Sequence, residues 1–112
     1  MDNCIFCKIA KKEIPAKIVY EDKDILAFDD IEPKASVHVL IIPKRHIASI
    51  EELKPQDCKL IGGIFSAVSE ISKKKGIFDS GYRVLVNKGA DAGQTVGHLH
   101  FHLLGGEKLP FA

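Results

Sequence analysis

The stretch GQTVGHLHFHLLGG, residues 93–106, places three of the chain's five histidines at every second position: His98, His100 and His102. A strand sends alternate side chains to opposite faces, so these imidazoles share one side while Leu99, Phe101 and Leu103 share the other. The pattern predicts a half-buried strand whose apolar trio packs on a helix. Neighbouring imidazoles on such a strand lie about 6.6 Å apart, near enough to surround one small anion or to share one metal. With an ordinary pKa near 6.5, a histidine is partly neutral at neutral pH, and neutral imidazole is both a metal ligand and a nucleophile at phosphorus. The spacing alone does not choose between these chemistries.

That helix is written just upstream. Pro55 sits at its first turn, and Cys58, Ile61, Phe65, Val68 and Ile71 recur at three- and four-residue steps to give one apolar stripe, with Cys58 as a small core residue. Lys73, Lys74 and Lys75 put positive charge at its C-terminus, and Gly76 supplies the cap. Before it, AKIVYEDKDILAFDDI reads as two strands joined at Asp22-Lys23-Asp24, and SVHVLIIP as a third, ended by Pro43. YRVLVNK is another strand, separated from the histidine strand by the Gly-rich loop GADAGQTV. CIFCKIAKKE predicts a short N-terminal helix closed by Pro15. The fold class expected is α+β: a mostly antiparallel five-stranded sheet with one long helix and one short one.

At 112 residues the chain fits a single domain, 1–112, and its 46% hydrophobic and 28% charged content is that of an ordinary globule. A chain this short buries only about two-thirds of its unfolded surface, so a bound metal or a second subunit would add useful stability. The net charge of +1 gives no reason to expect a nucleic-acid partner, a local basic patch aside. No apolar run approaches the roughly 18 residues of a membrane span, so no membrane partner is expected. The segment MDNCIFCKIAKKEIP has acidic and polar residues where a signal peptide needs basic ones, and the location expected is cytoplasmic. Three cysteines cannot all pair with one another, and a reducing compartment disfavours disulfides. Cys4-x-x-Cys7 is then half of a metal site or a redox pair. The loop GADAGQTV offers backbone N–H groups that glycine allows close to an anion.

HLHFHLL fits the pattern His-x-His-x-His-x-x, with x apolar, and the fit runs on through CKIAKKEIPAKIVYEDKDILAFDDIEP, VHVLIIPKRHI and GYRVLVNKGADAGQTVGHLHFHLLGG. Over nearly its whole length the chain resembles the histidine-triad (HIT) superfamily of nucleotide hydrolases and transferases, and within it the Hint-like branch. The resemblance implies a HIT-like fold whose homodimer carries one continuous ten-stranded sheet. It implies that His100 attacks the α-phosphorus of a nucleotide, forms a nucleotidyl-histidine intermediate and is released by water, with His102 on the phosphate and His38 approaching from an adjacent strand. Thr95 and Gln94 would contact the phosphate or leaving group, beside Gly93 of the loop, with Asn87 near the same oxygens. Asp30 would accept the ribose hydroxyls, and Phe6, Ile14, Phe28 and Ile31 would sandwich a base, mainly purine; Asp29 reads as solvated.

In a subset of bacterial-type relatives the cysteine pair is completed by two histidines, which implies a structural zinc on Cys4, Cys7, His46 and His98. The activity implied is hydrolysis of purine nucleoside 5′-phosphoramidates, AMP–amine compounds, to the monophosphate. Dinucleoside polyphosphate hydrolysis and nucleotidyl transfer are the alternatives within the superfamily, and a zinc- and nucleotide-binding interaction module is the alternative of another class. Hint-like proteins commonly continue past the motif to an aromatic residue that influences leaving-group choice across the dimer. Here GGEKLPFA follows the motif, so Phe111 takes that part or the leaving-group pocket is more open.

Overall fold

Asp22 makes the first turn: its Oδ1 accepts the amides of Asp24 and Ile25, both at 2.8 Å. This folds β1 (Ile18–Glu21) onto β2 (Ile25–Asp29), at the turn the sequence predicts. β3 (Val37–Pro43), β4 (Tyr82–Val86) and β5 (Phe101–Gly105) complete a five-stranded sheet in the order β1-β2-β3-β5-β4, every pair antiparallel. The computed structural model describes residues 3–110; Phe111, and with it the question of an aromatic residue beyond the motif, lies outside them.

The sheet is covered on both faces, which is why β2 and β3 read as nearly continuous apolar runs. On one face α2 (Cys58–Lys74) packs Ile64, Ala67, Val68 and Ile71 onto Ile25, Ala27, Val39, Ile41, Leu99, Phe101 and Leu103. The apolar trio of the histidine segment thus faces the long helix. On the other face α1 (Ile5–Ala10) lays Phe6 and Ile9 on Leu26, Phe28, Leu40 and Ile42. The α+β class and the antiparallel five-stranded sheet are those expected. Among the described residues, no helix is long and apolar enough to cross a membrane.

Several details differ from the sequence expectation, each for a local reason. Residues 55–57 form a 3₁₀ turn, so α2 starts at Cys58, which lies exposed at its outer rim rather than in the core. The buried stripe is turned from the one predicted: Ile64, Ala67, Val68 and Ile71 meet the sheet, while Phe65 stays 51% exposed. The end of α1 is set by Lys12 in the left-handed region (φ 65°), with the Glu13 and Lys12 amides closing on the carbonyls of Lys8 and Ile9; Pro15 lies beyond this cap. Gly76 caps α2 in the same way, as expected. Asp29 is paired rather than simply solvated: Lys75 Nζ sits 2.8 Å from its Oδ1 and ties the end of α2 to β2.

The most consequential difference concerns the histidine segment. β5 begins at Phe101, which pairs with Val86, the last residue of β4, on one side and with Ile41 of β3 on the other; Ile42 and Pro43 continue β3 against β2 alone. His98, Leu99 and His100 therefore approach the sheet as irregular backbone, with the Leu99 amide bonded to the Ile47 carbonyl at 2.6 Å.

Candidate active site and metal centre

The three histidines of the motif divide between two sites instead of surrounding one anion together. His100 and His102 line a cleft of about 670 Å³ on the α1 face of the sheet. His98, wholly buried, turns toward Cys4 and Cys7.

Hydrogen bonds fix which nitrogen of each ring carries its proton. His100 Nδ1 lies 2.7 Å from the carbonyl oxygen of His98. A carbonyl only accepts, so Nδ1 holds the proton and Nε2 keeps a lone pair. Phe6 packs its ring against this imidazole at 5.1 Å between centroids and holds its plane.

His38 is fixed from the other direction. The Lys34 amide donates to its Nδ1 at 3.0 Å, which puts the proton on Nε2. That proton points at His102 Nδ1, 2.9 Å away, with Asp30 Oδ2 a longer second acceptor at 3.4 Å. His102 Nδ1 is then an acceptor and its proton is on Nε2. Among the described residues, His102 Nε2 is the buried side-chain polar atom with no protein partner. A buried N–H without an acceptor is costly unless a ligand supplies one.

Electrostatics keeps this chain of rings neutral. Burial pushes the His102 pKa down to about 4, and the neighbouring His100 and His38 push in the same direction. Burial also lowers His38, with the Asp30 carboxylate partly opposing it.

Most of the residues expected to contact a ligand line the same cleft: Asp30, Asn87, Gly93, Thr95, Phe6, Ile14, Phe28 and Ile31. Phe6 and Phe28 meet edge to face at 5.6 Å and form an apolar floor. Ile31 stands at the rim, 93% exposed. Gly93 closes the 3₁₀ turn at residues 90–92 with φ 83°, a conformation that favours glycine. Gln94 is the exception. Its side chain does not line the cleft; Nε2 donates to the carbonyls of Ala48 (2.8 Å) and Val96 (3.0 Å), and Oε1 accepts the Gly89 amide at 3.0 Å.

Sequence reasoning missed the Lys34 amide, a backbone contact with no residue signature, and Leu85 and Leu104, whose alternation shows a face but not a cleft.

Cys4, Cys7, His46 and His98 bring one ligand atom each to within 4.8 Å of one another. Cys4 caps α1, its Sγ accepting the Cys7 amide at 3.3 Å, which folds the Cys-x-x-Cys turn. Sulfur–nitrogen separations are 3.2 Å (Cys4–His98), 3.2 Å (Cys7–His46) and 3.5 Å (Cys7–His98). Tetrahedral coordination with metal–sulfur bonds near 2.3 Å and metal–nitrogen bonds near 2.0 Å has sulfur–nitrogen edges of about 3.5 Å, so the four residues fit such an ion. The orientation of His98 is set for it as well: Nε2–H donates to the Pro43 carbonyl at 2.8 Å, leaving the Nδ1 lone pair toward the cysteines. Burial, reinforced by Cys4, pushes the Cys7 thiol up, an unfavourable setting for a thiolate that a bound cation would reverse.

The chain is similar to known proteins over nearly its whole length. Residues 3–109 match the family described as scavenger mRNA decapping enzyme C-term binding. The chain is 50% identical to protein HitA of Neisseria gonorrhoeae over 105 residues, 94% of this chain and 97% of that one. It is 46% identical to a HIT-like protein of Synechocystis over 111 residues, 99% of this chain and 95% of that one. The crystal structure of a HIT family hydrolase from Legionella pneumophila superposes with a TM-score of 0.95 at 47% identity, covering 97% of each chain. A HIT family hydrolase from Clostridium thermocellum gives 0.96 at 46% identity, over 100% of this chain and 97% of that one.

The chain belongs to the histidine-triad superfamily. In this histidine-triad protein the motif's imidazoles have unlike tasks built into their hydrogen bonds: one ring presents a lone pair, one presents an N–H, and one faces a pair of cysteines.

Proposed function

We propose that this histidine-triad protein is a Hint-like hydrolase that cleaves purine nucleoside 5′-phosphoramidates through a nucleotidyl-histidine intermediate. The observation that carries the reading is the opposed protonation of two adjacent rings. His100, its Nδ1–H held by the His98 carbonyl, has a free lone pair on Nε2, while His102 presents an unpaired N–H, with 5.0 Å between the ring centroids. A nucleophile next to a buried donor is what displacement at a phosphoryl centre requires.

In the first step Nε2 of His100 forms a bond to the α-phosphorus, the P–N bond breaks, and the amine leaves as it takes up a proton from solvent. In the second, water attacks phosphorus, the P–Nε2 bond breaks, and the lone pair returns to His100 as AMP departs with solvent taking the proton. His102 Nε2–H holds a phosphoryl oxygen through both steps, kept in the right tautomer by His38. Thr95, Asn87 and Gly93 surround the phosphate and leaving group. Asp30 accepts from the ribose hydroxyls, and Phe6, Ile14, Phe28 and Ile31 hold the base.

Zinc is the ion we assign to Cys4, Cys7, His46 and His98, on the donor set and edge lengths. It supplies structural cross-linking, since four protein ligands leave no open position for chemistry. Residues 1–112 act as one domain in a reducing, cytoplasmic setting that preserves the cysteines. The working unit is a homodimer: β4 is one of the two outer strands of the sheet, with its own Tyr82 38% exposed and Phe65 beside it 51% exposed. Pairing two β4 strands would give ten strands and cover both rings.

The deciding experiment is steady-state hydrolysis of adenosine 5′-phosphoramidate by wild type and His100→Asn. Loss of turnover by several orders of magnitude in a variant that still binds AMP is the expected result. A wild type no faster than the variant, with both binding AMP, would mean a nucleotide-binding module.

A further inference from the structure

We propose that Gln94 is a positioning residue that locks the cleft loop to the metal centre, so that ion retention and the placement of Thr95 are coupled. The inference rests on the proposed hydrolase for its kinetic arm alone.

The argument starts from the valence of one amide. Both Nε2 protons are donated, to Ala48 and to Val96, and Oε1 accepts from Gly89. The two carbonyls can only accept and the Gly89 amide can only donate, so the three contacts permit a single orientation of the group. No proton remains for a phosphate oxygen, and the spare lone pair on Oε1 would repel one. Gln94 therefore cannot hold phosphate without first releasing this network.

The partners show what the network does. Nε2 to the Val96 carbonyl closes a ring around Thr95, fixing the backbone of the exposed residue that lines the cleft. The Gln94 amide also bonds the Gly89 carbonyl at 3.0 Å, so side chain and main chain close the Gly89 turn together. Ala48 lies two residues past the metal-facing His46, and the next carbonyl back, Ile47, accepts the amide of Leu99 beside His98. Two straps thus join residues 46–48 to residues 94–99, and each starts within two residues of a metal-facing histidine. Thr95, Cys4 and His46 also share the wall of a second cleft of about 620 Å³, which confirms how near the loop runs to the metal centre. A bound ion would link His46 to His98 directly and so add a third tie to these two straps and to the shared burial of Ile47 and Leu99 in the core under α2.

The test compares zinc-loaded wild type with Gln94→Ala and with Gln94→Met, which keeps the length and removes the hydrogen bonds. Release of zinc to a chromogenic chelator is expected to be about tenfold faster in both variants, the scale for losing a few net hydrogen bonds around a ligand loop. On the phosphoramidate, kcat is expected to fall about tenfold with KM changing less than about threefold. Stripping zinc from wild type should bring kcat to the variants' level, and stripping it from the variants should add little. Unchanged zinc release, or a raised KM with unchanged release, would overturn the proposal and make Gln94 a direct contact or a bystander. Should neither variant fold, amide exchange in wild type decides: removing zinc should deprotect Gly89 while Ile41 in β3 stays protected, and equal protection of Gly89 with and without zinc would overturn the coupling. A wild type without turnover would end the hydrolase reading, while zinc release and amide exchange would still test the coupling.

Discussion

His38 and His102 share one proton between them. Nε2 of His38 lies 2.9 Å from Nδ1 of His102, and the Lys34 amide, 3.0 Å from the far nitrogen of His38, settles which ring owns it. One backbone N–H thus sets two tautomers in series and aims the last proton, on His102 Nε2, at a position with no protein acceptor.

If that proton holds a phosphoryl oxygen as charge develops, His102→Ala should lower kcat about 10²- to 10³-fold while AMP affinity changes far less. His38→Gln should cost less, about tenfold, because His102 remains and loses only its orienting partner. Steady-state kinetics beside an AMP titration checks both. A His38 variant as impaired as the His102 variant would mean that His38 itself contacts the substrate.

The neutral rings also make stability depend on pH. The unfolded chain protonates histidine near pH 6.5, whereas folded His102 resists until about pH 4, with His38 shifted in the same direction. Between those values the unfolded state binds more protons, so stability is full above about pH 6.5 and falls as the pH drops toward 4, by at most about 1.4 kcal/mol per pH unit for each ring. Asp57, held low by Arg45, adds its loss only in the carboxylate range below. Thermal melts of zinc-loaded wild type and His102→Gln at pH 7, 6 and 5 should show a shallower pH dependence in the variant, the metal centre contributing equally to both.

Metal removal tests the other histidine of the motif. Cys7→Ser, or stripping the ion with a chelator, unties α1 from residue 46 and from His98 at once. In a chain this small the Tm should fall by about 10 °C or more, recovered in the stripped wild type by added zinc and not in the variant. About one zinc per chain in protein purified without added metal is the matching analytical result.

How much of this could be read from the residues follows from what each feature depends on. Alternation over residues 98–103 gave both faces of the motif correctly, because apolar packing on α2 enforces the period of two even where the ladder is absent. The extent of β5 was not legible, since its start depends on where pairing with Ile41 of β3 and Val86 of β4 ends. Phe65 and Cys58 belong to an apolar helical stripe by spacing, yet the sheet selects a buried stripe rotated from theirs. The cysteine–histidine quartet came from resemblance, and its proximity now stands on distances. Gln94 shows the limit of resemblance: its neighbourhood was expected, but the target of its amide depends on residues 46–48, far away in sequence.

Asp30 carries the ribose prediction. Its Oδ1 already accepts the Glu32 amide at 2.8 Å, which fixes the carboxylate at the cleft. Asp30→Asn replaces one acceptor with a donor and should raise KM for ribonucleotide substrates about tenfold while leaving 2′-deoxy substrates closer to their wild-type values. Paired ribo and 2′-deoxy phosphoramidates measured with both proteins check it. An equal loss on both substrates would place the effect instead on His38, 3.4 Å from Oδ2.

The exposed rings beside β4 yield the last prediction. Phe65 packs edge to face on Phe101 at 5.8 Å, and Phe101 pairs in register with Val86, so this half-exposed ring sits next to β4, one of the sheet's two outer strands. An unprotected outer strand flanked by apolar side chains is a pairing surface, and burying such a ring contributes about 1.5–3 kcal/mol. A charge at this position would have to be desolvated in any dimer built on β4, at a cost that no partner group offsets. Phe65→Asp should therefore shift wild-type dimer toward monomer at micromolar concentration in sedimentation analysis, with little change in far-UV circular dichroism, because the ring contributes only partly to the monomer core. A variant that remains dimeric, or a wild type that is already monomeric, would remove β4 pairing from the working unit.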